Sequence, residues 1–362
     1  ILIGDVSIDN PDNATINFGP GLTAVVRTND GSDGAGIPAA INVADGQYVV
    51  DGDTIYVLSN EAAAGATPGA VASVANVTAL SLDALSQRDA LRGPGVQVAR
   101  GGIQTGPLGW GTLFGRTSNG SEPGDDVTTR GLIVGTDLVA NFGLFFGAAN
   151  TRVDNGSSGA SETDHMFVGF YAGFDLGGLD TEASLTFGRT EGGSADLTIA
   201  DNTIESGLRT LSLGGESRYV MPALTISDDL AVGNATITPS LRLSYARVWT
   251  DSEGIDLGPL STDGGTTTSN IFGIRGQIAR SVDAVETEAG LLSTDLRAGF
   301  DATYVSLAGE SGEWEDGRVF IGADLVHRSL DGGVELTGGI EVGRTSGGVN
   351  DVRAGAGVRF RF

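Results

Sequence analysis

The chain has 362 residues with no cysteine, and its 46 acidic against 21 basic side chains give a formal net charge of −25. The acidic balance excludes nucleic acid as a partner, because phosphate binding needs a basic face, and the lack of cysteine excludes disulfides and thiolate metal sites. No run of about 18 apolar residues is present, which excludes a membrane-spanning helix but not a transmembrane β-barrel, in which only alternate residues face lipid.

Residues 1–62 are predicted to form short stacked β-strands, like the rungs of a β-helix. The runs ATINFGPGLTAVVRTND and AAINVADGQYVVDGDTIYVLSN are β-prone and are broken by Gly, Asn and Asp at the spacing of short strands. The opening ILIGDVSIDN has neither an initiator Met nor a basic stretch typical of a signal peptide. We therefore expect the chain to be a processed product or a fragment.

A single helix is predicted at residues 66–92, within a linker that extends over 63–104. Thr67-Pro68 is a typical helix start and Gly93-Pro94 is a typical stop. About 25 residues at 1.5 Å each give roughly 37 Å, close to the thickness of a bilayer. Polar side chains nevertheless exclude a span through lipid, among them Asn76, Asp83, Arg88 and Asp89. Two interpretations remain open, a linker helix packed on a sheet and a helix threaded through a polar pore.

Residues 105–362 are predicted to form a transmembrane β-barrel of twelve antiparallel strands. The final run, VRAGAGVRFRF, alternates between an apolar face and a face of arginine and glycine, and a period of two indicates a strand. The runs LRAGFDATY, RVFIGADLVHR and MFVGFYAGFDL divide in the same way. Twelve strands of roughly 10–13 residues would need a very large core in a soluble protein, whereas strands of that length match a tilted membrane span.

The predicted connections alternate between short turns and long loops, as in outer-membrane barrels. An even number of strands places both ends of the barrel on the short-turn side, which is periplasmic. Two turns on that side are predicted to be long, at 220–234 and 281–291, and the first of them follows a predicted sixth strand at 206–219.

The arginines of the barrel segment lie mainly in the strands, whereas the long loops are rich in Asp and Glu. Several arginines fall in the phase opposite the apolar face: Arg275, Arg297, Arg318, Arg353, Arg359 and Arg361. We expect these side chains to line the lumen. Asp83 and Asp89 of the predicted helix are complementary in charge and would pair with them.

These features together resemble the translocator domain of autotransporters, the type V secretion system of Gram-negative bacteria. The likeness rests on the order of a β-strand segment, a long helix, the strand opening GWGTLFGR, twelve alternating strands and a terminal phenylalanine. It implies that residues 1–62 are the end of a passenger that is exported to the cell surface, and that the helix stays in the lumen of an outer-membrane barrel. Trp110 matches the aromatic residue of the family's first strand and is expected at the membrane interface.

The resemblance also implies partners. Val358, Phe360 and Phe362 share one face and look like the signal by which the barrel-assembly machinery recognises outer-membrane proteins. The other implied partners are outer-membrane lipid, lipopolysaccharide and the chain's own passenger. Self-cleaving members carry adjacent asparagines in the helix, whereas this helix has the lone Asn76, so we expect the passenger to remain attached.

We expect no enzymatic activity, no cofactor and no metal. The chain contains no G-x-S-x-G, P-loop or H-E-x-x-H pattern. Its two histidines, His165 and His327, would lie about 20–30 Å apart at about 3.3 Å per strand residue. That distance excludes a shared site, and Asp164 beside His165 is interpreted as an ordinary pair at the edge of a loop.

Three alternatives to a translocator stay open. The first is a porin-like channel with an N-terminal plug, although a porin needs no capped helix before its first strand. The second is an adhesin or surface-lattice protein that uses the barrel only as an anchor. The third is a soluble all-β binding protein, which would require the apolar phases of all twelve strands to face one interior.

Overall fold

A computed structural model of the chain consists of a small N-terminal β segment, one long helix and a closed β-barrel. It describes residues 6–29, 36–60, 67–90, 108–119, 126–139, 141–154, 160–192, 195–233, 235–306, 313–314, 317–330 and 333–361. The predicted order of elements along the chain is therefore confirmed.

The N-terminal segment combines parallel and antiparallel strands. Its elements are β1 (Val6–Ser7), a 3-10 turn (Pro11–Asn13), β2 (Thr15–Phe18), β3 (Ala24–Asn29), β4 (Ala40–Val43), β5 (Gln47–Asp51) and β6 (Thr54–Leu58). β1 pairs with β3 and β2 pairs with β4 in parallel, as in stacked rungs, whereas β3, β6 and β5 pair antiparallel. Side chains from β2, β3 and β6 form a small core: Phe18, Ala24, Val26, Ile55 and Val57.

In the helix α1 (Thr67–Ala90), the described side chains, residues 70–87, are buried or half-buried on every face. Its apolar residues Val71, Val74, Leu80 and Leu85 are buried, but so are Ser73, Thr78 and Ser81. Thr78 and Ser81 donate their hydroxyl protons to backbone carbonyls of the preceding turn, over 2.8 and 2.9 Å. These local bonds satisfy the hydroxyls without a partner on another element. Among the described residues no helix is long and apolar enough to cross a membrane.

The remainder of the chain forms a β-barrel. Its twelve long strands are β7 (Leu108–Asn119), β8 (Asp126–Val139), β9 (Phe142–Asp154), β10 (Ala160–Leu176), β11 (Leu179–Gly192), β14 (Gly215–Ser227), β16 (Ala235–Ser252), β17 (Gly265–Thr287), β18 (Gly290–Ser306), β20 (Arg318–Ser329), β21 (Val334–Thr345) and β22 (Asn350–Arg361). Each pairs antiparallel with the next, and β22 pairs with β7, which closes the barrel. Four shorter strands lie in the connections: β12 (Ala195–Asp201), β13 (Leu208–Leu213), β15 (Leu230–Val232) and β19 (Glu313–Trp314).

Side chains alternate between the interior and the outer wall along each strand. On β20, Arg318 and Phe320 are buried, whereas Val319 and Ile321, which alternate with them, are among the most exposed apolar residues. An outer wall of exposed Leu, Val, Ile and Phe side chains is the arrangement of a barrel that sits in lipid. The closed barrel also pairs every long strand on both sides, as hydrocarbon requires of backbone groups.

The two ends of the barrel differ in the length of their connections. At one end, the short-turn end, residues 177–178 join β10 to β11 and residues 288–289 join β17 to β18. At the other, the long-loop end, the connections include 193–214 and 253–264. Because β7 begins and β22 ends at the short-turn end, both termini of the barrel lie there, as the even strand count predicts.

Three details of the predicted strand map are wrong. The sixth barrel strand is β14 rather than 206–219, and the long turns predicted at 220–234 and 281–291 are mostly strand. Pro222 lies inside β14, where it interrupts the ladder with β16 between Val220 and Ala223, and proline argues against a strand in sequence. The alternation in β17 is broken by a register shift between Val282 and Val285.

Candidate functional site: the occupied lumen of the barrel

α1 lies inside the barrel and contacts β7, β8, β9, β10, β14, β16, β17 and β22. Its first turns are at the long-loop end, because Ser73 contacts His165 near the start of β10. Further along the helix, Gln87 lies beside Gly355 near the middle of β22. The helix therefore runs from the long-loop end towards the short-turn end, where β7 begins.

One half of the lumen wall is aromatic. Large side chains from β7, β9, β10 and β14 pack on the apolar residues of α1: Trp110, Phe114, Phe145, Phe167, Tyr171, Tyr219 and Met221. Glycines on neighbouring strands make room for the rings. A Cβ on Gly147 would lie 2.2 Å from Cζ of Phe167, and one on Gly188 would lie 2.0 Å from Cζ of Tyr219.

Trp110 belongs to this aromatic wall, so its predicted place at the membrane interface is wrong. The side chain is 2% exposed, and its Nε1 donates a hydrogen bond of 3.0 Å to the hydroxyl of Tyr171. Tyr171 in turn donates to Asp137. Trp110 shares the inward phase of β7 with Thr112 and Phe114, and Gly135 on β8 leaves the space that its ring occupies.

The other half of the wall is charged, and Asp83 of α1 faces it. The Asp83 carboxylate lies 2.7 Å from Arg242 of β16, 3.1 Å from Arg353 of β22 and 3.7 Å from Arg275 of β17. Among the described side chains, this carboxylate is the only one on the helix that forms ion pairs with the wall. Three cations converging on one anion hold it in place from three strands.

A second set of carboxylates on the wall balances these arginines. Glu341 lies 2.5 Å from Arg275 and 2.6 Å from Arg318, and Asp301 lies 3.0 Å from each of the same two arginines. Asp351 pairs with Arg318 and with Arg116. Five arginines and four carboxylates thus form one network in which every buried ion has an oppositely charged partner, as buried ions need if they are not to be destabilising.

Two neutral side chains of α1 add further contacts nearer the long-loop end. Asn76 accepts a hydrogen bond from Arg116 of β7. Ser73 and His165 are both fully buried, and Oγ of Ser73 lies 2.7 Å from Nε2 of His165. His165 is thus a partner of the helix rather than one half of an edge pair with Asp164. The inward position of His165 could have been predicted, because it alternates in the same phase of β10 as Phe167 and Tyr171.

The structure places the other sequence-predicted residues as follows. Arg297 lies 3.0 Å from Asp324, and Arg359 lies 3.2 Å from Asp137, both inside the barrel. Val358 and Phe360 lie in the outward phase of β22. Phe362 and the side chains of Arg88, Asp89 and Arg361 lie outside the described residues. The alternation singled out Arg275 and Arg353 but missed Arg116 and Arg242, which have the same inward phase.

The N-terminal segment contacts the long-loop end through a loop hairpin formed by β12 and β13. β12 pairs in parallel with β3, and the side-chain amide of Asn202 bonds the backbone N–H and C=O of Arg27 over 2.5 and 2.8 Å. A hydrophobic cluster joins three stretches of chain: Val25 and Leu58 from the segment, Ile199 from the hairpin, and Ile255, Leu257 and Leu260 from loop 253–264.

Among the described residues, no group of three or more His, Asp or Glu side chains is arranged to hold a metal ion. His327 lies in the outward phase of β20, on a different strand from His165.

Comparison with known proteins agrees with this architecture. The chain is similar to the translocator domain of the autotransporter NalP from Neisseria meningitidis, with a TM-score of 0.57 and 13% identity over 81% of this chain and 98% of that one. It is also similar to the β domain of the Bordetella autotransporter BrkA, with a TM-score of 0.53 and 17% identity over 71% of this chain and all of that one. At these identities the likenesses show the fold alone.

No curated protein sequence matches the chain. A family model, the autotransporter β-domain, matches residues 109–362, which is the whole barrel. The chain therefore belongs to the autotransporter β-domain family and is an outer-membrane translocator barrel.

Proposed function

We propose that the barrel exports the N-terminal part of its own chain and then tethers it at the cell surface through α1. The observation that carries this proposal is the path of the chain. The N-terminal segment lies at the long-loop end, α1 runs through the lumen, and β7 begins at the short-turn end. A chain that threads a closed barrel in this way has either passed through the lumen or had the barrel assembled around it.

The filled lumen supports a tether and argues against an open channel. Beside Asp83 and Gln87 the lumen retains a cavity of only about 20 Å³, room for on the order of one water molecule. A porin-like function would need a continuous aqueous path along the same axis. With α1 in place, the barrel keeps the membrane closed while the N-terminal segment stays attached.

The contacts of Asp83 support a stable attachment. This carboxylate bonds arginines from three strands, so withdrawal of α1 would leave three buried guanidinium groups without their shared anion. Breaking a buried ion pair by removal of one partner typically costs about 3–5 kcal/mol. The barrel performs no catalysis in this scheme, and its lone helix asparagine, Asn76, is bonded to Arg116.

We also propose that the last strand serves as the assembly signal of the barrel. Val358 and Phe360 lie in the outward phase of β22, where a membrane-embedded partner has access to them, and the resemblance assigns Phe362 to the same face. Assembly machinery in the outer membrane and the surrounding lipid are the partners implied. β22 pairs with β7, and this pairing closes the barrel. In this proposal the strand that the assembly machinery recognises is therefore also the strand that closes the barrel.

Surface display tests the proposal directly. An epitope inserted after Gly19, an exposed position whose Cβ would meet no atom within 4 Å, is expected to bind antibody on intact Gram-negative cells that express the full chain. Removal of residues 67–90 is expected to abolish this signal while the barrel still folds. An epitope that is detected only after the outer membrane is permeabilised would refute export.

Crosslinking tests the place of the helix in the membrane. The chain has no native cysteine, and a Cβ on Gly355 would lie 2.6 Å from Oε1 of Gln87. Gln87→Cys with Gly355→Cys is therefore expected to be crosslinked by a short bifunctional thiol reagent in isolated outer membranes. Gln87→Cys with Gly338→Cys is the matched control, because Gly338 lies in the outward phase of β21. Equal crosslinking of both pairs, or of neither, would contradict a helix held in the lumen.

A further inference from the structure

The outer wall of the barrel carries arginines at one end. Among the residues that the structure describes, seven arginines of the barrel strands are exposed: Arg130, Arg152, Arg189, Arg218, Arg247, Arg280 and Arg344. All except Arg280 lie within about six residues of the long-loop end of their strand. The lumen arginines neutralise buried carboxylates, but these outer arginines have no part in holding α1.

Three of the outer arginines lie near one another on consecutive strands, two of them opposite each other and the third, Arg247, opposite Val220 and so two residues nearer the short-turn end. We call Arg189, Arg218 and Arg247 the arginine tier. Arg189 of β11 is directly opposite Arg218 of β14, and Arg218 is directly opposite Trp249 of β16. Arg247 lies on the same face two residues before Trp249, with its guanidinium 5.5 Å from the centre of the indole ring. The tier therefore spans three adjacent strands.

Like charges directly opposite each other on a sheet are destabilising, and three neighbouring carboxylates offset the repulsion between Arg189 and Arg218. Arg189 contacts Glu191 and lies 3.5 Å from Glu216, whereas Arg218 has Asp251 at 3.8 Å. The side chains of Arg189 and Arg218 are still 54% and 68% exposed. Because a guanidinium group has five N–H donors, arginines this exposed keep donors available for another anion in addition to these carboxylates.

The residues on the two sides of the tier, towards the loops and away from them, differ in character. The carboxylates Glu216 and Asp251 are opposite each other one step nearer the loops. In the other direction the outer wall becomes apolar: Phe187 and Val220 lie two residues from Arg189 and Arg218, at the level of Arg247, and Tyr245 lies two residues beyond Arg247 on β16. The arginines thus stand at the border between the apolar band and the loops, where the headgroups of lipids lie.

We propose that the arginine tier binds the phosphate of a phosphorylated glycolipid in the outer leaflet of the membrane. Guanidinium groups bind phosphate with two parallel hydrogen bonds, and an opposed pair of arginines with a third on the next strand matches a headgroup with more than one phosphate. The acyl chains of the same lipid would lie on the apolar wall that begins at Phe187 and Tyr245. The choice of leaflet rests on the proposed function, which places the long loops at the cell surface.

Binding of a defined lipid to the full chain tests this site. The refolded protein in a neutral detergent is titrated with a bisphosphorylated acylated glucosamine disaccharide, and bound lipid is counted by native mass spectrometry. Arg218→Gln is expected to weaken binding by about tenfold, the loss of one charge-assisted contact. The triple variant Arg189→Gln/Arg218→Gln/Arg247→Gln is expected to bind no better than wild type binds the same lipid without its phosphates.

Arg280→Gln is the matched control, because Arg280 is an exposed arginine of β17 that lies away from the long-loop end. Its affinity is expected to equal that of wild type. Excess inorganic phosphate is expected to compete only weakly, because it lacks the acyl chains. The proposal is overturned if the triple variant binds as tightly as wild type, or if the lipid without phosphates binds equally well. The assay is independent of export, so its failure is distinct from a failure of surface display.

Discussion

Asp83 of α1 and Arg242 of β16 lie 2.7 Å apart although 159 residues separate them along the chain. The pair joins the helix to the wall at a point where Arg275 and Arg353 also converge. A single carboxylate therefore links the helix to three strands.

Replacement of Asp83 by Asn is expected to destabilise the folded barrel by about 3–5 kcal/mol, because three buried guanidinium groups would lose their common anion. Unfolding by guanidinium chloride in detergent measures the change. Glu288→Gln is the control, since Glu288 lies exposed in the turn between β17 and β18, and its effect is expected within about 0.5 kcal/mol. Equal stability of the two variants would show that Asp83 is not an anchor.

The same variant is expected to change the electrical behaviour of the barrel. In a planar lipid bilayer the wild-type chain is expected to remain closed, because α1 fills the lumen. Asp83→Asn is expected to show brief ion-conducting openings as the helix loosens. A wild-type protein that conducts continuously would instead favour the channel alternative.

The sequence predicts the barrel well because its physical basis is local. A strand in a bilayer wall must alternate apolar and polar side chains, and this period is visible in runs such as RVFIGADLVHR. The division of faces therefore places Arg318 inside and Val319 outside without any knowledge of partners. The start of the helix at Thr67-Pro68 was also predictable, because it depends on the residues of the first helical turn alone.

The predictions that were wrong or incomplete concern features that depend on contacts between residues far apart in the chain. The alternation does not say which face of β7 is inside when both contain small or aromatic residues, and Trp110 is inside because Gly135 on the next strand leaves room for it. β13 has the pattern of a barrel strand but pairs with β12 in the loop hairpin. Which arginine meets Asp83 depends on the register of three strands and on the rotation of α1, and neither is encoded within a window of sequence.

The glycines beside the lumen aromatics are expected to be intolerant of side chains. A Cβ on Gly169 would lie 2.3 Å from Cζ of Phe145 and 2.5 Å from the backbone oxygen of Leu185. Because the carbonyl cannot move without breaking the ladder, Gly169→Ala is expected to cost about 1–3 kcal/mol. Gly338→Ala is the matched control, since a Cβ there meets no atom within 4 Å. Chemical unfolding measures the stability of both variants. A Gly169→Ala protein as stable as the control would contradict the packing described.

The bond between Ser73 and His165 is expected to hold the first turns of α1. Ser73→Ala leaves Nε2 of a buried histidine without its partner, a loss of about 1–3 kcal/mol. Amide exchange of residues 70–76 is expected to accelerate, whereas exchange of residues 80–87, which surround Asp83, is expected to stay unchanged. The double variant Ser73→Ala/His165→Phe is expected to recover part of the protection, because it removes the unpaired polar group. Uniform acceleration along the helix would mean that α1 loosens as one unit.

Asn202 is expected to hold the N-terminal segment against the long-loop end. Its side-chain amide bonds both backbone groups of Arg27 and continues the parallel pairing of β12 with β3. Loss of two hydrogen bonds in Asn202→Ala is expected to weaken this docking by about 1–3 kcal/mol and to speed proteolysis of the segment by roughly tenfold. The barrel itself is expected to stay resistant, because its strands are paired on both sides. Asn150→Ala is the control, since Asn150 bonds only neighbouring carboxylates on the outer wall. If cleavage of the segment is equally slow in both variants, the hydrophobic cluster of Val25, Ile199 and Leu257 is sufficient to dock it, and the amide is not required.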